Sequence, residues 1–390
     1  MEKIIIVNNN MKVGGVQKSL YNLLWEIEEK YDVTLLLFRA AGEYIDKLPK
    51  AVKVVECESL FRYLGMSQAE CKDCLQDKAK RTVLAGISRV FGRASVMKIL
   101  LQSQKTLSQT YDCAISFLQN GRPNAFYGGT QDFVLNCIRA DKKIAFLHCD
   151  YANCGANHKK NNELMAQFDA IAACSDGCRR SFVQSIPELA ERTVTVRNFH
   201  RIEEIRFLSE QNTIQYDSDR LNVVMVSRLS HEKGIDRAII AAAKMAEKGI
   251  PICLNIVGGG AMEKSLKDLV ESLGVRSWVR FWGEQGNPYR FMKNADLFLL
   301  CSYHEAAPMV IEEARCLGVP VLTTRTTSSH EMVTEENCGW VCENNQQALE
   351  KMLEEILREP ELLRSVKIRL QKRIMDNAIA MKQFTTLIEG

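Results

Sequence analysis

The chain has 390 residues, 46% of them apolar and 25% charged, with a formal net charge of +3. Such values suit a soluble globular protein of about two domains and argue against a dedicated nucleic-acid binder. The charge is uneven: residues 1–200 hold 27 Lys and Arg against 21 Asp and Glu, and the remainder holds 24 against 27, so the front half is suited to meet something anionic.

Residues 2–9 read as a first parallel strand, leading through Gly14 and Gly15 into a helix with a stripe of Leu20, Leu23, Leu24 and Ile27. The apolar core of this first strand is too short for a secretory segment, and no run approaches the roughly 18 apolar residues of a membrane span. Two glycines let a backbone approach a ligand closely, or simply make a tight turn. Strands follow at 32–38 and 52–56, and the β-α-β order predicts a mostly parallel, doubly wound sheet. Residues 61–107 break the rhythm. There Lys72, Lys78, Lys80, Arg81, Arg89, Arg93, Lys98 and Lys105 alternate with large apolar residues such as Leu75, Val83, Val90 and Phe91. Such a basic amphipathic span suits either an anionic membrane surface or a helical pair packed on the sheet with a solvated basic face.

Strands resume at 113–117 and 143–147. The second ends on His148 at a carboxyl end, where a His can hydrogen-bond a ligand or serve the structure alone. His148, Cys149, Cys154 and His158 are spaced loosely like a zinc site, but no paired C-x-x-C accompanies them. The default for the fourteen cysteines is therefore reduced, cytosolic thiols. A strand at 170–174, with Ser175 and Asp176 able to cap the next helix, and another at 194–198 close the first half. Residues 201–220 are polar and weakly periodic, and are expected to cross between domains.

The second half restarts with a strand at 221–226. Arg228 follows it, and Lys233 comes just before Gly234 and a helix. The planar fork of Arg and the mobile point charge of Lys can grip a diphosphate from two sides. A strand at 252–257 runs into Gly258-Gly259-Gly260, a second close-approach loop. The apolar run 295–301 predicts a buried strand, so Glu305 lies just past a carboxyl end, where open α/β sheets bind ligands. Pro308 suits the first turn of the next helix. The N–H groups of Met309 and Val310 suit an anion, and Glu313 shares a helix face with Met309. A sugar joined to a diphosphate fits these carboxylates and this helix end; otherwise the glutamates are solvated surface charges.

Arg228-x-x-x-x-Lys233-Gly234, the three glycines at 258–260, and Glu305 with seven residues before Glu313 stand behind an N-terminal Gly-Gly loop and a His after a middle strand. In that order they resemble the retaining glycosyltransferases of family 4, over nearly the whole chain. The resemblance implies the GT-B architecture, with two Rossmann-like doubly wound domains facing a central cleft. Residues 1–200 would bind the acceptor and 201–375 the nucleotide sugar, with a C-terminal helix at 376–390 packing back on the first domain. It implies that Arg228 and Lys233 bind the donor diphosphate, that Glu305 faces the donor sugar and Glu313 the ribose, and that His148 sits by the reacting centre. Gly14, Gly15, Gly258, Pro308, Met309 and Val310 would complete the donor site. It implies no metal and no obligatory cofactor, and no Asp-x-Asp is expected to hold a metal. The implied function is transfer from a nucleotide-diphosphate sugar, a UDP-sugar, to a glycan or polyprenyl-diphosphate-linked acceptor in bacterial surface polysaccharide synthesis. It would take place in the cytoplasm or peripherally on the inner face of the membrane, and no nucleic acid is involved. Two loops depart from the family pattern, at Glu305-Ala306-Ala307-Pro308 and Ser328-Ser329-His330-Glu331. The alternatives are a UDP-sugar epimerase and a non-catalytic partner subunit of the same architecture.

Overall fold

The computed structural model describes residues 1–71 and 74–390; Lys72 and Asp73 of the basic span lie outside the described residues. Met1–Phe199 with Asn377–Gly390 form one compact unit, and His200–Asp376 a second. In the first unit, strands β1 (Lys3–Asn8), β2 (Asp32–Leu37), β3 (Lys53–Glu56), β4 (Thr110–Ser116), β5 (Arg139–Leu147), β6 (Ala170–Ala173) and β7 (Thr193–Thr195) make one sheet. Its order is β3-β2-β1-β4-β5-β6-β7, with every pairing parallel. Both faces of the central strands are covered, which is why β1 and β2 are buried from their second residue on and β1 reads as a nearly unbroken apolar run. Along β1, Ile4 and Ile6 join one cluster with Leu20 and Leu24. Ile5 and Val7 join the opposite cluster with Phe38, Phe61 and Phe133. The C-terminal helix Ala378–Glu389 belongs to this unit, burying Ala380, Phe384, Leu387 and Ile388 against the cluster that holds Ile4 and Phe146.

The basic span forms two helices, Leu75–Phe91 and Arg93–Gln102, that meet at Gly92. Leu84, Val96, Met97 and Leu100 seat them on the sheet. Lys78, Lys80, Arg89 and Lys98 are exposed, as are Leu75, Val83, Val90 and Phe91. Arg93 is a correction to the expected basic face: it is buried, ion-paired with Asp132, and its Nη2 donates to Asn120 Oδ1 at 2.8 Å. A guanidinium removed from water must be paired, and Asp132 supplies the charge.

In the second unit, β8 (Leu221–Val226), β9 (Ile252–Val257), β10 (Val279–Phe281), β11 (Leu297–Leu300), β12 (Val321–Thr324) and β13 (Gly339–Cys342) form a parallel sheet in the order β10-β9-β8-β11-β12-β13. The expected polar crossing at 201–220 instead begins with a helix, Ile202–Glu210. Ile202 and Ile205, three apart, reach the cluster around Phe291, Phe298 and Leu317. In each sheet the strand order reverses beside the first strand, between β1 and β4 and between β8 and β11. That is the topological switch point, outside whose carboxyl edge open α/β sheets take their ligands.

Candidate active site

The loops after β8 and β11 flank the switch point of the second unit. The loop after β8 carries Arg228, then a 3-10 turn, His231–Lys233, then Gly234. Gly234 has φ +61°, and a Cβ there would stand 2.3 Å from the Cys301 carbonyl oxygen. Only glycine lets this loop press so closely on the loop after β11. The approach brings Lys233 Nζ within 2.6 Å of Glu305 Oε1, which also accepts a 2.8 Å hydrogen bond from Ser302 Oγ. The Lys233 and Glu305 side chains are 19% and 11% exposed, so water screens this pair little. Arg228 differs. Its side chain is 75% exposed, and Nη2 donates to Glu232 Oε1 at 3.3 Å. Ser230 Oγ also donates to that oxygen, at 2.6 Å. Burial works to raise the Glu232 pKa, but the Ser230 hydrogen bond and the nearby cations hold it below the usual carboxylate range. Glu232 belongs to no motif in the sequence, and its i, i+4 spacing from Arg228 is the one local signal for it.

The helix after β11 runs Met309–Cys316. Pro308 sits at its N-cap in an extended conformation, one place before the predicted first turn. The N–H groups of Met309 and Val310 therefore open the helix and form the positive end of its dipole. Glu313 is only 5% exposed, and its Oε1 accepts from the Tyr289 hydroxyl at 3.1 Å. Neither Glu305 nor Glu313 is a solvated surface charge. The loop carrying Glu305 is anchored from behind by buried Arg237, whose Nη1 donates to Cys301 O at 3.3 Å and to Asn344 Oδ1 at 2.7 Å. The Arg237 guanidinium also lies over the Tyr303 ring, 4.8 Å from its centroid. Tyr289, Arg237 and Asn344 converge from separate segments, so no local pattern in the sequence marks them.

Gly258 follows β9 with φ +143°, and a Cβ there would fall 1.9 Å from Ser227 O. The close approach expected of this loop is thus made to the Arg228 loop itself, and Leu229 N–H donates to Gly259 O at 2.9 Å. In the first unit, Gly14 caps the helix Gly15–Ile27 in an extended conformation. A Cβ on Gly15 would meet nothing within 4 Å, so internal packing does not demand glycine there. His148 follows β5. Its N–H donates to Gln119 Oε1 at 3.2 Å, and its ring packs on Phe117 at a centroid distance of 4.5 Å. Burial pushes its pKa down to about 3, so the imidazole is neutral at neutral pH. Its Nε2 is buried with no hydrogen-bond partner among the described residues.

The expectation that the chain lacks an Asp-x-Asp is corrected by Asp217-Ser218-Asp219. It precedes β8, at the amino end of the sheet and away from Arg228, and Asp217 Oδ2 accepts from Arg280 at 2.7 Å. Among the described residues no three His, Cys, Asp or Glu side chains are grouped to hold a metal.

Two Rossmann-like parallel α/β units, the second with a cation-and-carboxylate site at its switch point, place the chain in the GT-B class of fold. Over residues 209–373 it matches the family described as glycosyl transferases group 1, so the second unit carries a glycosyltransferase group 1 domain. The chain is homologous to bacterial glycosyltransferases. The lipopolysaccharide glucosyltransferase WaaG of Escherichia coli is 36% identical over 132 residues, 33% of this chain and 35% of that protein. The amylovoran biosynthesis glycosyltransferase AmsK of Erwinia amylovora is 29% identical over 34% of this chain and 35% of that protein. The chain thus spans about a third of the length of these curated relatives. Among solved structures, Anabaena HepE in complex with UDP and glucose superposes with a TM-score of 0.67 at 19% identity, covering 100% of this chain and 98% of that one. Staphylococcus aureus TarM gives 0.68 at 13% identity, with both chains fully covered.

Proposed function

We propose that the chain is a glycosyltransferase that moves a sugar, with retention of configuration, from a nucleotide-diphosphate donor to a glycan or lipid-linked acceptor of bacterial surface polysaccharide synthesis. The observation that carries this reading is the preformed Lys233–Glu305 pair at the switch point, beside a helix start and the Arg228 loop. An ammonium has three donors, so Lys233 can keep Glu305 and still serve a phosphate oxygen. Arg228, Lys233 and the N–H groups of Met309 and Val310 stabilise the charge that develops on the leaving diphosphate. Glu305 accepts hydrogen bonds from donor-sugar hydroxyls, and Glu313 serves the ribose. Neutral His148, with Gly14 and Gly15, takes the reacting end of the donor, and the acceptor hydroxyl attacks from the leaving group's face. A UDP donor is supported by the UDP and glucose bound to HepE. A surface polysaccharide product is supported by the described roles of WaaG and AmsK.

The acceptor is met at an anionic membrane surface. In support of this, Leu75, Val83 and Val90 are exposed along the helix Leu75–Phe91, with Lys78, Lys80 and Arg89 among them. Contact would be peripheral, since no helix among the described residues is long and apolar enough to cross a membrane. The donor assignment is tested by calorimetry on Lys233→Ala and Arg228→Ala with UDP and with uridine. Each lost charge-assisted contact is worth roughly 1.5–3 kcal/mol, about 10- to 150-fold in affinity for UDP. Uridine affinity should hardly change, and equal losses for the two ligands would refute the diphosphate role.

A further inference from the structure

The turn that follows β5 carries two thiols whose sulfurs lie together: Cys149 Sγ and Cys154 Sγ are 3.2 Å apart. Both residues are partly exposed. The turn is ordered by its own hydrogen bonds. Cys154 N–H donates to Asp150 O at 2.9 Å, and Ser181 Oγ donates to Asp150 Oδ1 at 2.7 Å. Gly155, with φ +83°, turns the chain immediately afterwards. A disulfide needs a sulfur separation of about 2.05 Å, so closure requires an approach of roughly 1.2 Å across a short turn that already holds both thiols.

We propose that Cys149 and Cys154 form a thiol–disulfide exchange site that closes to an intramolecular disulfide with a low-molecular-weight disulfide as oxidant. The Cys154 thiolate attacks one sulfur of the small disulfide, forming a mixed disulfide and expelling one small thiolate. Cys149 then gives its proton to solvent and attacks the Cys154 sulfur, expelling the second. Two protein S–H bonds are lost, one S–S bond forms, and the small disulfide is reduced to two thiols. Either thiol can donate across this contact, so the order is taken from the surroundings: burial and the neighbouring Cys174 and Cys178 raise the Cys149 pKa, whereas the Cys154 pKa is lowered. The more thiolate-like sulfur is the nucleophile. Cys174 and Cys178 form a second pair, with sulfurs 3.8 Å apart, but both are buried and closed to the oxidant. A disulfide from 149 to 154 would stiffen the turn that begins one residue after His148.

The test treats the folded full chain with oxidised glutathione at pH 7.5, quenches with acid and an alkylating agent, and maps cysteines by peptide mass spectrometry. The expected product is a species 2 Da lighter with the bond between Cys149 and Cys154, reversed by dithiothreitol. Cys149→Ser should trap a glutathione adduct on Cys154, and Cys154→Ser should react at least tenfold more slowly at Cys149. Far-ultraviolet circular dichroism confirms that both variants are folded, and Cys149→Ala repeats the trapping if the serine does not fold. A first disulfide in any other pair, no disulfide at all, or faster adduct formation on Cys149 than on Cys154 would overturn the proposal.

Discussion

Lys233 and Glu305 meet at 2.6 Å although 72 positions separate them in the chain. Glu313 is held by Tyr289, and Arg228 is steered by Glu232. The two glutamates therefore differ in what they have to spare. Glu305 reaches toward the loop ends, whereas Glu313 lies within the helix. Glu305→Gln should weaken a UDP-sugar about tenfold or more while leaving free UDP near its wild-type affinity, a split measurable by competition calorimetry. Equal losses for the two ligands would assign Glu305 to the nucleotide instead. His148 makes a pH prediction. Its native pKa is pushed down to about 3, against 6.5 in the unfolded chain. Between those values the unfolded state binds more protons, so stability held above about pH 6.5 is lost on acidification, at up to about 1.4 kcal/mol per pH unit. His148→Gln should flatten the denaturant-midpoint profile between pH 6.5 and 5 relative to wild type, and parallel profiles would show that His148 is not kept neutral by burial.

At the scale of elements, the glycine loops divide into those the packing demands and one it does not. Gly258→Ala would drive a Cβ into Ser227 O with φ at +143°, so the Arg228 loop must move. A cost of about 1–3 kcal/mol is expected, a fall of several degrees in Tm. Gly259→Ala is the milder control, since its backbone is not in the left-handed region and its Cβ would come no closer than 3.3 Å to Glu284. Gly15 lies at the first helical position with open space around it. Gly15→Ala should leave Tm unchanged or slightly raised yet reduce donor turnover if that space belongs to the donor. Retained turnover would return this Gly-Gly to an ordinary tight turn.

For the whole molecule, the chain builds one doubly wound unit, then a second, and returns with Ala378–Glu389 to complete the first. Phe384 sits among Tyr31, Phe146 and Phe199 at ring-centroid distances of 6.1–6.5 Å. The excess of basic over acidic residues also belongs to this first unit, where the exposed helix Leu75–Phe91 presents cations and apolar side chains together. Co-sedimentation with anionic vesicles should retain the wild type at low salt and release it at high salt. Lys78, Lys80 and Arg89 changed to Gln should abolish retention, since each contributes about 1 kcal/mol near an anionic surface. Arg93 must be left intact, because removing it would strand buried Asp132 without its charge partner. Binding that survives the triple change would refute this helix as the contact.

That the sheets are parallel and doubly wound was legible in the sequence alone. Parallel strands buried on both faces appear as short continuous apolar runs, and each one ended where a polar or glycine-rich loop began. The same periodicity set Arg228, Lys233 and Glu305 beyond carboxyl ends, because that placement depends only on where a strand stops. The pairings were not legible, because they join residues far apart in the chain. The tertiary structure decided that Arg93 is a buried partner of Asp132 rather than a surface cation, and that Arg237 and Asn344 anchor the Glu305 loop. It decided that the glycine at 258 serves a neighbouring backbone. It also turned Ile202–Glu210 into a packed helix, since two isoleucines in a polar stretch are a weak periodic signal until a core exists to receive them. The Cys149–Cys154 contact belongs here too: five positions apart, the two thiols meet only because the turn after β5 folds them together, which spacing cannot tell from an extended loop.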